Sequence, residues 1–453
     1  KEYEGKDITI YDSAPGTACS AVETVSGADL VVLVTDPTPF GINDLKLAVE
    51  MCRKIGQEPV VLVNRADYLD DHLHRYCQEA ELKIIGEIPD DREIAEVYSS
   101  GNLVVDKLDR YQDLFRDLAE KIEAEAGRKR EVKPPVEVDI SGEIKPEKGK
   151  PPIPGSGPRP REMVVISGKG GTGKTSLTAS FAALKKELVI SGCDVDAADL
   201  HLVLSPEILQ KGWFSGGVVA EIDQQICTGC GRCYQECRFK AIEESVNERG
   251  EKTYRIDPLA CEGCGVCNLV CPVGAVKVKD AYNGQWFISR TRLDQPMTHA
   301  RLGVAEENTG RLVTLIREKA VDQAAENSLN QVLIDGSPGT GCPVIASLSG
   351  VAYALIVTEP TVSGVHDLKR ILDVTRHFQV ASGVVINKAD LNEEMAGQIK
   401  TVTAEYGAEI MGEIPYDRVV TRAQMKGLSV VEFEEGPVTE AIKLIWKNIE
   451  AII

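Results

Sequence analysis

The chain has 453 residues, about three times the usual size of one domain. Apolar residues make up 43% and charged residues 27%, which excludes a largely disordered or collagen-like chain. The net charge of −19 argues against nucleic acid as a partner, because phosphate backbones are bound by basic surfaces.

The first residue is Lys1 rather than methionine, so the chain is expected to begin inside a longer protein or to be processed. Residues 10–46 are repeated at 333–369: Asp12 pairs with Asp335 at an offset of 323, and so, without a gap, do Gly27 with Gly350, Pro37 with Pro360 and Asn64 with Asn387. The sequence GEIP at Gly86–Pro89 recurs at Gly412–Pro415 with three extra residues in the second copy. Residues 1–124 are therefore expected to be the C-terminal half of a module whose front half is missing. Residues 125–161, rich in Pro, Gly and charge, read as an extended linker.

From there the pattern alternates. Met163–Ser167, Lys186–Ser191, Gln331–Gly336, Ala352–Thr358 and Gly383–Asn387 are short apolar strand candidates. Helical stretches such as Lys174–Lys185, Gly364–His377 and Glu393–Tyr406 separate them. This predicts an α/β fold with a parallel sheet covered on both faces.

Gly168–Thr175 fits G-x-x-x-x-G-K-[ST], preceded by a strand and followed by a helix, the context that a phosphate-binding loop requires. Gly168, Gly170, Gly171, Thr172 and Gly173 would turn backbone N–H groups toward phosphate oxygens, and the helix opening at Lys174, Thr175 and Ser176 adds its dipole. Lys174 would meet the β- and γ-phosphates and the Thr175 hydroxyl Mg²⁺. The competing reading is a chance Gly-rich turn.

Cys227, Cys230, Cys233 and Cys237 form C-x-x-C-x-x-C-x-x-x-C, and Cys261, Cys264, Cys267 and Cys271 repeat it, followed by Pro272. These runs hold eight of thirteen cysteines, an odd total that suits metal ligation in a reducing, cytoplasmic setting better than disulfides. Gly229, Gly231, Gly263 and Gly265 permit the tight turns. A zinc site is the alternative. Of the other five, Cys19 and Cys342 share one repeat position seven residues after Asp12 and Asp335, which suggests either redox handling at an interface or a small residue opening a helix. The C-terminal Pro437–Ile453 carries Ile442, Ile445, Trp446, Ile449 and Ile453 at helical spacing, and its basic face is thin; it is expected to pack on its own sheet rather than on a membrane. The longest apolar run, Val344–Val357, is broken by Ser347, Ser349 and Gly350, so no stable membrane insertion is expected.

The form KGGTGKT, with a second lysine at Lys169, resembles the deviant phosphate loop of the MinD/ParA/Mrp ATPases, the nitrogenase iron protein and the arsenical-pump ATPase, the SIMIBI-type P-loop NTPases. The resemblance implies that Lys169 reaches a partner's nucleotide across a homodimer or an intrachain pseudo-dimer. It implies that Asp196, in Asp194-Val195-Asp196, orients the attacking water. Asp335 would hold Mg²⁺ through water and Gly339 would sense the γ-phosphate, although strand-end solvation also accounts for the Asp194 and Asp196 carboxylates. Asn387 and Pro415 would contact adenine, which favours ATP over the guanine suggested by Asn387-Lys388-Ala389-Asp390.

The cysteine spacing resembles bacterial two-cluster ferredoxins, in which the fourth cysteine of each run crosses over. That implies one [4Fe–4S] cluster on Cys227, Cys230, Cys233 and Cys271, and a second on Cys261, Cys264, Cys267 and Cys237. Cys237 is followed by Arg238 where the family usually has proline, which bears on the second cluster's potential. The whole is similar to MinD-superfamily ATPases with an inserted ferredoxin domain at 221–281, within a second module at 162–220 and 282–453. The implied activity is ATP hydrolysis coupled to electron transfer toward an unidentified redox or iron–sulfur acceptor protein. An Mrp-type cluster carrier and a MinD-like positioning ATPase with redox-sensing clusters are the alternatives.

Overall fold

An apolar run without alternation must be buried on both faces. Strand β4 (Arg161–Ser167) meets that condition in this computed structural model, which describes residues 8–13, 16–17, 19–68, 71–128, 131–133, 159–258, 260–303 and 309–453. Met163 and Val165 face one core with Phe181, Leu188 and Trp446, while Val164 and Ile166 face a second core with Leu312, Ile316 and Leu348. Most of the expected linker at 125–161 lies outside the described residues.

The remaining strands are β1 (Val32–Thr35), β2 (Val60–Asn64), β3 (Lys83–Ile88), β5 (Val189–Gly192), β6 (Glu207–Ile222), β7 (Ile242–Val246), β8 (Lys252–Ile256), β9 (Val276–Arg290), β10 (Pro296–Leu302), β11 (Gln331–Pro338), β12 (Tyr353–Thr358), β13 (Ser382–Asn387) and β14 (Glu409–Ile414). Eight of them join β4 in one nine-stranded sheet in the order β14-β13-β12-β4-β11-β5-β10-β9-β6. Neighbours are parallel from β14 to β10. The expected parallel sheet is thus present, and it gains an antiparallel edge, where β10–β9 and β9–β6 are antiparallel. The cause is local: β9 and β10 are joined by a tight turn in which the Thr291 N–H donates to Gln295 O at 2.9 Å, and a tight turn can only join antiparallel strands.

β6 and β9 stay paired from Glu207↔Arg290 to Ile222↔Val276, a ribbon that begins in the sheet and ends at the cysteine-rich region, which also holds the β7–β8 hairpin. The first unit has a three-stranded parallel sheet, β1-β2-β3, the counterpart of β12-β13-β14. Even an irregularity repeats: the register shifts between Val61 and Leu62 against β3, and between Val384 and Val385 against β14, positions related by the same offset as the sequence repeat.

The helix Pro437–Glu450 buries Ile442, Ile445, Trp446 and Ile449 on β14 and the helix Lys174–Leu184. The Trp446 and Phe181 rings lie 4.9 Å apart. Among the described residues no helix is long and apolar enough to cross a membrane.

Candidate functional site

The loop between β4 and the helix Lys174–Leu184 is held by the ends of neighbouring strands. Asn387, closing β13, donates from Nδ2 to Thr172 O at 2.8 Å. Gly173 has φ +93°, and a Cβ there would lie 2.6 Å from that same Nδ2, so the position requires glycine. Gly339 N–H donates to Ser167 O at 2.9 Å, which fixes the end of β11 against the loop's first turn. Ser176 accepts from Gln424 Nε2 at 2.8 Å. Pro415 follows β14, and the next residue's N–H donates to Asp390 Oδ1 at 2.6 Å.

Lys174 is 5% exposed and its Nζ lies 3.6 Å from Asp194 Oδ2. Thr175 Oγ1 donates to Asp335 Oδ2 at 2.9 Å, and Thr178 Oγ1 to Asp335 Oδ1 at 3.2 Å. Burial pushes the Asp335 carboxyl up to about 6 against the opposing charge of Lys174. Burial, reinforced by the Asp194 charge, pushes Asp196 up to about 6. Burial also raises Asp194, with Lys174 opposing. Lys169 does not join this group: its Nζ lies 3.1 Å from Ser363 Oγ and 3.8 Å from Glu359, and over the Tyr98 ring of the first unit at 6.0 Å.

Thr172 Oγ1, Asp194 Oδ1 and Asp196 Oδ1 are buried and make no hydrogen bond. Buried acceptors of this kind are costly unless a ligand, water or ion satisfies them. A lysine at the head of a helix, a hydroxyl beside a buried carboxylate, and orphaned oxygens facing them fit a hydrated Mg²⁺ with a nucleotide phosphate chain.

Two residues of the first unit, missed at the sequence level, reach this centre. Asn43 donates to Asp199 Oδ1 at 3.0 Å. Burial, then the charges of Asp194 and Asp36, raise the Asp44 carboxyl, with Lys174 opposing. The repeat carried a signal: Asp44 is the counterpart of Asp367, which packs against Gly168 so closely that a Cβ on Gly168 would lie 2.6 Å from it.

In the cysteine-rich region, Cys227, Cys230, Cys233 and Cys271 line one cavity together with Ile222 and Tyr254. Three come from the first run and the fourth from the second. Burial, then the charges of Cys261 and Cys264, raises the Cys267 thiol, and Cys237 packs with Cys227, Cys261, Cys267 and Cys271 on the rim of the apolar cluster built on Ile242 and Tyr254. Gly229, Gly231, Gly263 and Gly265 all have positive φ, and the last residue of each pair caps a short helix, Arg232–Glu236 or Val266–Val270. Backbone amides point at sulfur: Ala275 N–H donates to Cys271 Sγ at 3.2 Å. Burial raises the Cys271 thiol, but the amides of Val276, Val273, Ala275 and Gly274 outweigh it and hold the thiol below its ordinary value. Thiolate-stabilising amides around four convergent cysteines fit an iron–sulfur cluster. Among the described residues no set of three or more Cys, His, Asp or Glu side chains is placed to hold a single metal ion. Cys342 lies outside this region, exposed at the first turn of the helix Cys342–Leu348.

The fold and loop define a P-loop nucleotide-binding protein. Residues 163–430 match the CbiA family, described as the CobQ/CobB/MinD/ParA nucleotide binding domain, and the chain belongs to it; the second unit is a nucleotide-binding ATPase domain of the MinD/ParA type. An uncharacterized protein of Methanocaldococcus jannaschii is 31% identical over 295 residues, 64% of this chain and 97% of that protein. The iron-sulfur cluster carrier protein of Pyrococcus horikoshii is 25% identical over 146 residues, 29% of this chain and 49% of the carrier. Among solved structures, the septum site-determining protein MinD with Mg-ADP from Pyrococcus horikoshii aligns at TM-score 0.39 and 16% identity, over 64% of this chain and 96% of that one.

Proposed function

We propose that this ATPase binds and hydrolyses Mg²⁺–ATP to drive electron transfer through two [4Fe–4S] clusters toward an acceptor protein. The observation that carries the reading is the cavity formed by Cys227, Cys230, Cys233 and Cys271, at the tip of a ribbon that passes the phosphate-binding end of the sheet near Phe214 and Gly284. The segment bearing Asp194 and Asp196 runs through the helix Leu200–Leu204 directly into β6. From Phe214, level with the phosphate end of the sheet, to Ile222 the ribbon extends roughly 25 Å at the usual strand rise. Over that distance the phosphate site acts on the cysteines through movement of the ribbon rather than through its charge.

In this reading Lys174 would neutralise the β- and γ-phosphates, and Thr175 and, through water, Asp335 would hold Mg²⁺, which would supply charge stabilisation at the phosphates. Asp196 orients the attacking water, Gly339 senses the γ-phosphate, and Asn387 and Pro415 flank the base. Lys169 reaches a nucleotide only when two units close on each other. Eight cysteines hold the clusters, which supply one-electron storage when bound.

A second reading is supported by the likeness to the cluster carrier: the chain hands its clusters to an apo-acceptor. Reductive titration of the iron-loaded chain, with and without Mg²⁺–ATP, separates the two. The electron-transfer reading expects a nucleotide-dependent shift in cluster potential or in the rate of electron delivery. If neither changes, and iron instead moves to an apo-acceptor faster with ATP, the carrier reading replaces it.

A further inference from the structure

The contacts between the two units are reciprocal. In the first unit, Asp67 Oδ2 accepts from the backbone N–H of Asp90, directly after Pro89, at 3.0 Å. In the second, Asp390 Oδ1 accepts from the N–H of Tyr416, directly after Pro415, at 2.6 Å. Asp67 and Asp390 are repeat counterparts, as are Arg92 and Arg418 two residues further along each turn. Each arginine crosses to the other unit's aspartate. Arg92 donates from Nη1 to Asp390 Oδ2 and from Nη2 to Asp390 O, both at 2.9 Å, and Arg418 Nη2 lies 3.9 Å from Asp67 Oδ2. Arg418 also donates to Asp90 O. A cavity of about 600 Å³ between the two turns is lined from both sides.

Residue i touching j while the counterpart of j touches the counterpart of i is the signature of a two-fold, self-complementary interface. Asn392, which donates to Ser99 Oγ at 2.9 Å, and Arg65, which donates to Thr421 Oγ1 at 2.6 Å, extend the surface on either side. The second unit thus presents an acceptor, Asp390, and a donor, Arg418, that would equally satisfy another second unit related by the same axis. That place is taken by residues of the same chain.

We propose that the first unit is a built-in partner that occupies the pairing surface of the second and so keeps the chain from pairing with a second copy. This rests on the reading above that the second unit acts by closing on a like unit, and it names which unit that is. Concentration decides the competition. A tethered partner meets the surface at an effective concentration on the order of millimolar, so a second copy at micromolar concentration is outcompeted by about a thousandfold.

The test uses the full chain at micromolar concentration, with and without Mg²⁺ and a non-hydrolysable ATP analogue, and reads mass by light scattering and hydrogen exchange over Pro89–Tyr98. The wild-type chain should have the mass of one chain and a protected segment. Arg92→Asp, which sets like charges against Asp390, should raise exchange and produce the mass of two chains, since Asp390 then loses its donor within the chain and Arg418 of a second copy supplies one. Arg92→Asp with Asp390→Arg should restore protection and the single-chain mass. A wild-type chain with the mass of two chains, an Arg92→Asp chain with unchanged exchange, or one with raised exchange that stays single, overturns the proposal. None of these readouts depends on clusters or turnover, so failure of the electron-transfer reading leaves the result intact.

Discussion

The side-chain amide of Asn387, at the end of β13, donates to the carbonyl of Thr172 in the phosphate loop at 2.8 Å, while its Oδ1 accepts from Lys388 N–H at 3.0 Å. Both ends of this amide are engaged in holding backbone, so its first role is to keep the loop in shape. Asn387→Ala should weaken nucleotide binding about tenfold, corresponding to the roughly 1–1.5 kcal/mol of one buried hydrogen bond. Asn387→Asp, which keeps the acceptor and loses the donor, should do at least as much. Titration with a fluorescent nucleotide reads both; an unchanged affinity in either variant would show that the loop holds without β13.

Lys174 is the buried cation nearest Asp194, and it opposes the upward shift of both Asp194 and Asp335. Removing it costs the site its phosphate partner and leaves two buried carboxylates without an opposing charge. Lys174→Ala should reduce nucleotide affinity on the order of a hundredfold, the scale of a charge-assisted contact to phosphate. The far-UV spectrum and iron content should stay as in the wild type, because the cysteines lie at the tip of the ribbon, beyond the phosphate end of the sheet. A coupled loss of iron would mean that the two ends fold as one unit.

Asp44 of the first unit and Asp199 of the second share one buried neighbourhood. Burial, then the Asp44 charge, raises Asp199, while the hydrogen bond from Asn43 opposes; burial, Asp194 and Asp36 raise Asp44. Acids whose folded pKa lies above the unfolded value of about 3.9 favour folding while protonated, and that contribution is lost as pH rises through the folded pKa. The nucleotide-free chain should therefore lose stability from about pH 4 toward about pH 9. Urea midpoints across that range should flatten in Asp199→Asn. Equal slopes in the two proteins would remove this pair as the cause.

What the sequence made legible was local. The run Met163–Ser176 specified a buried strand, a turn and a helix, and all three formed. The internal repeat anticipated two sheets of like topology, and the structure carries even the shared register shift. β6 was missed because Glu207–Lys211 is exposed and three glycines interrupt the strand, which erases the alternation that marks a half-buried strand. β10 was missed because its buried face is built from Thr298 and Ala300 beside Met297, a weak apolar signal. The reciprocal Arg92–Asp390 and Arg418–Asp67 contacts could not be read from either segment, since each residue gains its role only when two distant turns meet.

The cysteine-rich region offers a test that leaves every sulfur in place. Gly263 has φ +61°, and a Cβ there would lie 2.0 Å from the carbonyl oxygen of Val218 on β6, a rigid backbone atom in the ribbon. An alanine would carry both the left-handed strain of about 1 kcal/mol and a clash relieved only by moving the turn between Cys261 and Cys264 away from the ribbon. Gly274 has a similar φ of +66° and open space around it, so Gly274→Ala imposes the strain without the clash. Gly263→Ala should lose iron and broaden the charge-transfer absorption of the loaded chain, while Gly274→Ala keeps both near wild type. Nucleotide affinity should be the same in the two variants. If Gly263→Ala holds as much iron as Gly274→Ala, the turn does not need its close approach to β6, and the ribbon is not what sets the cysteines in position.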